Sequence, residues 1–95
     1  MSVDIKKFFP KDPTALKDYI FDWTRWLQSG EVIDTATIVV STGLTLTSHE
    51  IMDGGKKVII WVSGGTAPVS IASCTIITNG GRTDKRTIGF DIENE

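Results

Sequence analysis

An all-β fold, an immunoglobulin-like or fibronectin-like antiparallel β-sandwich of about seven strands, is predicted by three features of the sequence. Glycines recur at hairpin spacing, as Asp53-Gly54-Gly55, Gly64-Gly65 and Asn79-Gly80-Gly81, and glycine supplies the positive φ that tight turns demand. The runs between them are rich in Val, Ile and Thr and alternate with a period of two. The chain has 95 residues, which is room for one core. Six or seven short strands at this spacing fit a sandwich, with a small barrel as the competing closure.

Residues 1–10 are expected to form an N-terminal arm or an edge strand, and residues 11–95 the single sandwich domain. Pro10 and Pro13 cannot donate to a ladder, so a turn is expected at Lys11-Asp12-Pro13. Residues 16–23 read as the next strand, with Tyr19, Phe21 and Trp23 on one face and Asp18, Ile20 and Asp22 on the other. Residues 24–27 look like one helical turn closed by Gln28-Ser29-Gly30, with Asp22 or Thr24 as its cap and Trp26 and Leu27 as a lid on the core. A strand over residues 32–41 places Ala36, Ile38 and Val40 together, and Thr42-Gly43 turns the chain into a strand over residues 44–51. Residues 57–63 carry Val58, Ile60 and Val62 on one side and Ile59 and Trp61 on the other. Strands over residues 69–78 and 83–92 close the fold, the latter with Ile88, Phe90 and Ile92 in step, and residues 93–95 read as a frayed acidic end. The expected core is Tyr19, Phe21, Trp23, Ala36, Ile38, Val40, Val58, Ile60, Val62, Ile88 and Phe90.

An apolar fraction of 40% and a charged fraction of 23% are those of a folding globular chain. A net charge of −2 provides no positive field for nucleic acid. No stretch reaches the roughly 20 apolar residues of a membrane span, and residues 1–7 lack a secretory pattern, so a protein made and assembled in a cytoplasm is expected. The single cysteine, Cys74, allows no internal disulfide and reads as a small buried hydrophobe.

Catalytic groups are sparse. His49 lies in Thr47-Ser48-His49-Glu50, but adjacent residues of a strand point to opposite faces and make no triad by themselves. Gly64-Gly65-Thr66 and Asn79-Gly80-Gly81-Arg82 lack the Lys and following helix of a phosphate loop. Asp53-Gly54-Gly55 lacks the alternating acids of a calcium loop. No enzyme activity, cofactor or metal is expected. Three features instead point to protein partners: Phe8 and Phe9 in an arm exposed unless docked, Ile59 and Trp61 on the outward phase of a strand, and the cations Arg82, Lys85 and Arg86 around a turn. For the cations a solvated hairpin tip is the alternative, and for Trp61 burial beneath a loop.

The ordered set Lys11-Asp12-Pro13, Asp18-Tyr19-Ile20-Phe21-Asp22-Trp23, Trp26-Leu27, Thr42-Gly43-Leu44-Thr45, Val62-Ser63-Gly64-Gly65-Thr66-Ala67 and Gly81-Arg82-Thr83-Asp84-Lys85-Arg86-Thr87-Ile88 resembles the fiber-tail adaptor proteins of tailed bacteriophages. The match covers nearly the whole chain from Lys11 onward; residues 70–77 depart from the family's Tyr- or Val-rich strand. The resemblance implies a non-catalytic virion component, present in several copies, that binds connector, tail, fibre or capsid proteins. A capsid decoration protein and a carbohydrate-binding module using Trp61 are the alternative functions.

Overall fold

The computed structural model describes residues 8–92, and within them the chain forms β1 (Phe8–Lys11), β2 (Lys17–Asp22), β3 (Ile33–Val40), β4 (Leu44–Met52), β5 (Lys57–Gly64), β6 (Val69–Thr78) and β7 (Thr83–Ile92). Of the arm expected over residues 1–10, residues 1–7 lie outside the described part, as do residues 93–95; of Phe8 only the backbone is described. The strands make two sheets, ordered β1-β7-β6-β3 and β2-β5-β4. The orders β3-β6-β7 and β2-β5-β4 are those of strands C-F-G and B-E-D in an immunoglobulin domain.

β1 corrects the all-antiparallel expectation. It lies parallel to β7, with Phe8 opposite Gly89 and Lys11 opposite Ile92, while every other pairing is antiparallel. The connection to β2 crosses between the sheets. Asp12 Oδ1 accepts hydrogen bonds from the Thr14 amide at 2.8 Å and the Thr14 hydroxyl at 2.7 Å, and Ala15 N–H donates to Asp12 O at 3.0 Å. This side-chain-capped turn leads the chain from one sheet into the other, so β1 and β2 do not meet as a hairpin.

Two of the three glycine signals are hairpin turns and one is not. Asp53, Gly54 and Gly55 have φ of 56°, 66° and 90° and join β4 to β5, and Asn79-Gly80-Gly81 joins β6 to β7. Gly64-Gly65 instead carries the chain between sheets, from β5 to β6. A Cβ on Gly65 would collide with Ile92 Cδ1, so that glycine serves a close approach of chain to core.

Two bulges keep the apolar residues inward. The register shifts between Ile33 and Thr35 in β3, and between Leu46 and Ser48 in β4. One extra residue reverses the strand's phase. Ile33 therefore joins Ala36, Ile38 and Val40 on the inner face, and Leu44, Leu46 and Ile51 share theirs, although neither set keeps a strict period of two.

Of the expected core, Phe21, Trp23, Val58, Ile60, Val62 and Phe90 are buried, and Tyr19, Ala36, Ile38, Val40 and Ile88 pack partly buried against them. Ile33, Leu44, Ala72, Ile76 and Ile92 complete it. Cys74 is buried among them, and burial pushes its thiol up to about 12, which leaves it protonated and inert at neutral pH. The turn after β2 forms as expected: Trp26 and Leu27 N–H groups both donate to Trp23 O, at 2.9 and 3.0 Å, and Asp22 Oδ1 caps it through the Thr24 amide. Trp26 and Leu27 pack against the core.

Candidate partner-binding face

Strand alternation assigns the outward face of β2-β5-β4 residue by residue. Across the sheet, Ile20 stands opposite Ile59 and Glu50 opposite the other side of Ile59; Asp18 and Ser48 flank Trp61 in the same way; Asp22 and Met52 flank Lys57. Leu16, immediately before β2, is exposed as well. Because the inward phase of β5 is fully buried, its other phase must face solvent. Leu16 is 54% exposed, Ile20 52% and Trp61 36%, with Ile59 half-buried between them. Trp61 is thus outward, not under a loop. The result is an apolar row across two strands with an aromatic ring at its centre.

The outward face of the other sheet is different in kind. Val39, Val69 and Ile77 are exposed there, but Ile77 stands between Thr35 and Thr83, Val39 is opposite Ser73, and Val69 is opposite Asp91. Half-buried Ile71 lies between Val69 and Ser73 on this phase, so the face carries apolar aliphatic residues interspersed with hydroxyls, and none of those described is aromatic. Lys85 lies on this face, exposed, opposite Thr75.

The charged cluster over residues 82–86 does not act as one patch, because it is divided by the period of β7. Asp84 and Arg86 fall on the inward phase with Ile88 and Phe90, and Lys85 on the outward one. Arg86 sets its guanidinium 4.7 Å from the centre of the Trp23 ring and donates from Nη1 to Asp22 O. Asp84 Oδ2 accepts from Trp23 Nε1 at 2.8 Å. Together they close one end of the sandwich over Trp23.

Arg82 is engaged still more fully. Its guanidinium lies 3.9 Å from the Trp26 ring centre, donates from Nη2 to Trp26 O at 3.1 Å, and forms an ion pair with Glu31. Glu31 is buried and accepts from the Gln28 amide at 2.9 Å, from Arg82 Nε at 2.9 Å and from the Thr78 hydroxyl. This network ties the long β2–β3 connection to the β6–β7 turn. Sequence inspection placed the three cations together and missed Glu31, whose partner is 51 residues away; an isolated acid between Gly30 and an apolar strand was the only signal.

The Arg82 hydrogen bonds, with those from Gln28 and Thr78, hold the Glu31 carboxyl down at about 2, against an ordinary value of 4.5. A carboxyl that titrates lower in the folded chain stabilises the fold fully above its unfolded value, and the contribution fades as pH falls from about 5 toward 2. The expected result is that Glu31→Gln flattens the acid limb of a melting-temperature profile and melts several degrees below the parent at pH 7. Asp12 and Asp22 are lowered in the same direction by their hydrogen bonds from Thr14 and Thr24, so part of the acid limb remains. Parallel profiles for variant and parent would remove the role given to Glu31.

Phe9 belongs to the domain's own packing. Its ring centre is 5.1 Å from that of Tyr19, which lies 4.7 Å from Phe90, so the expectation of a Phe9 exposed unless docked is corrected: β1 lays it across the gap between the sheets. His49 is exposed on the edge strand β4. Among the described residues no group of three or more His, Cys, Asp or Glu side chains comes together as for a metal ion.

Fold and face define a small β-sandwich domain that turns a group of apolar residues on one sheet to solvent and ties its β2–β3 connection to the β6–β7 turn by internal polar contacts. The family model of the podophage GP4 fiber-tail adaptor protein gp77 matches residues 11–91. The chain belongs to that family, a family of structural adaptors of the phage virion. No curated protein matches the chain.

Proposed function

We propose that this protein is a non-catalytic adaptor that is assembled into the virion in the host cytoplasm, in several copies, and there joins tail and fibre components through the outward face of β2-β5-β4. The observation that carries this reading is the adjacency of Ile20, Ile59 and Trp61, with Leu16 exposed beside them, which sets an aromatic ring among apolar side chains on the outward face of one sheet. Contiguous exposed apolar surface with an aromatic centre is the usual form of a protein interface, and Trp is among the strongest anchors of one. Family membership supports a structural role in the virion and names the kind of neighbours. Of the remaining candidates, Lys85 is exposed on the opposite sheet, away from this face, whereas Arg82, Arg86 and Phe9 act through the stability of the domain.

The test is incorporation into phage particles when the gene is supplied in trans. Trp61→Ala is expected to reduce the copies per particle by about tenfold or more, since an anchor of this type is worth at least about 2 kcal/mol, while the purified variant melts close to the parent. Lys85→Ala should change incorporation little. Incorporation of folded Trp61→Ala at the parental level would place the interface elsewhere.

A further inference from the structure

The same face carries a second pattern, in charge. Carboxylates border its apolar residues: Asp18 and Asp22 on either side of Ile20 along β2, and Glu50 beside Ile59 on β4, all exposed. Lys57 is the cation of the face, and it forms an ion pair with Asp53 at 2.9 Å. Asp22 is occupied by Thr24. Asp18 and Glu50 have no ion-pair partner among the described residues. They stand on the two strands either side of β5, which sets them on the order of 10 Å apart across Trp61 and Ile59.

Such a rim, three carboxylates to one lysine, disfavours a second copy docked by the same face. A two-fold contact is isologous, so it would bring acid-flanked rows against each other, and like charges set together at an interface cost several kcal/mol. Resting on the reading of this face as the adaptor's docking surface, we infer that its occupant is a basic protein surface: an apolar centre that covers Ile20, Ile59 and Trp61, flanked by Lys or Arg side chains that pair with Asp18 and Glu50. An arginine in that position is also within reach of the exposed Trp61, where a guanidinium can stack on an indole. Charges at the rim of such a contact act mainly on the rate and salt dependence of docking, while the apolar centre sets how long it lasts.

The experiment adds the purified full-length protein to phage particles grown without it and measures the amount bound between about 50 and about 300 mM salt, a range over which screening changes markedly. The variants are Asp18→Asn with Glu50→Gln, Asp18→Lys with Glu50→Lys, Lys85→Glu on the opposite face, and Trp61→Ala. Binding of the parent is expected to weaken with salt. The neutralised pair should bind several-fold more weakly at low salt with a flatter salt dependence, the reversed pair about tenfold or more weakly, and Lys85→Glu like the parent. If both charge variants bind as the parent does, with the same salt dependence, while Trp61→Ala fails to bind, the docking face stands and its basic occupant is refuted. Parental binding by Trp61→Ala removes the face and the inference together. A dimer of the free protein in sedimentation that is lost in Trp61→Ala makes a second copy the occupant and also overturns the inference.

Discussion

Trp23→Ala is expected to remove about 3–5 kcal/mol of folding stability, the range for truncating a buried aromatic residue. Trp23 is fully buried, its ring lies 5.8 Å from that of Phe21, and it is the side chain on which the polar contacts at one end of the sandwich converge. Truncation leaves Asp84 without its indole donor and Arg86 without the ring beneath it. A small domain has a total stability of roughly 5–15 kcal/mol, so a large share is lost. The urea midpoint reads it directly, with an unchanged slope if the unfolded state is unaffected. Trp23→Phe, which keeps most of the apolar surface and loses the indole N–H, should fall between parent and Trp23→Ala. A Trp23→Ala midpoint near that of the parent would contradict the burial and the inward phase of β2.

Lys11→Met is expected to cost on the order of 3 kcal/mol. The Lys11 side chain is buried, and its Nζ donates to Gly64 O at 2.6 Å, Ala15 O at 2.7 Å and Asp12 O at 3.1 Å. An ammonium with three donors filled by three carbonyls is a satisfied buried cation, and hydrogen bonds to charged groups contribute about 1.5–3 kcal/mol each. The sum is not additive, because burial opposes it, and the same burial pushes the ammonium down from the usual lysine value. Methionine retains the apolar stem and leaves the carbonyls without their donor. Chemical denaturation measures the loss, and an Lys11→Met variant as stable as the parent would show that solvent replaces the ammonium freely.

How much of this was legible in the sequence depends on the range of the interaction. The hairpins at Asp53-Gly54-Gly55 and Asn79-Gly80-Gly81 and the inward phases of β2 and β5 are local, set by turn residues and a period of two, and the sequence displays them; it leaves Trp61 open between an outward position and burial beneath a loop, because a loop's cover is not a local property. The bulges in β3 and β4 hide Ile33 and Ile51, since one inserted residue defeats alternation without leaving a compositional mark. Gly64-Gly65 resembles the hairpin glycines in sequence because a crossover between sheets also uses positive φ, and the residue that Gly65 makes room for, Ile92, is distant in the chain. The engagement of Arg82 by Glu31, of Arg86 by Trp23 and Asp22, and of Lys11 by Gly64 are long-range contacts made only once the sandwich is assembled. The sequence therefore shows these cations as free charge, and the fold uses three of them as fasteners.

The parallel course of β1 along β7 bears on mechanical load. A pull on the chain before Phe8 against the chain after Ile92 draws β1 and β7 past one another along their length, because the two strands run the same way. Their ladder is then sheared, with its bonds strained together, whereas a terminal hairpin would be peeled open one bond at a time. Lys11 sits at the end of that ladder and clamps it to Gly64 of the opposite sheet. Extension of single molecules should show one high-force rupture that drops sharply in Lys11→Met; a parental rupture force in that variant would mean the clamp bears no tension.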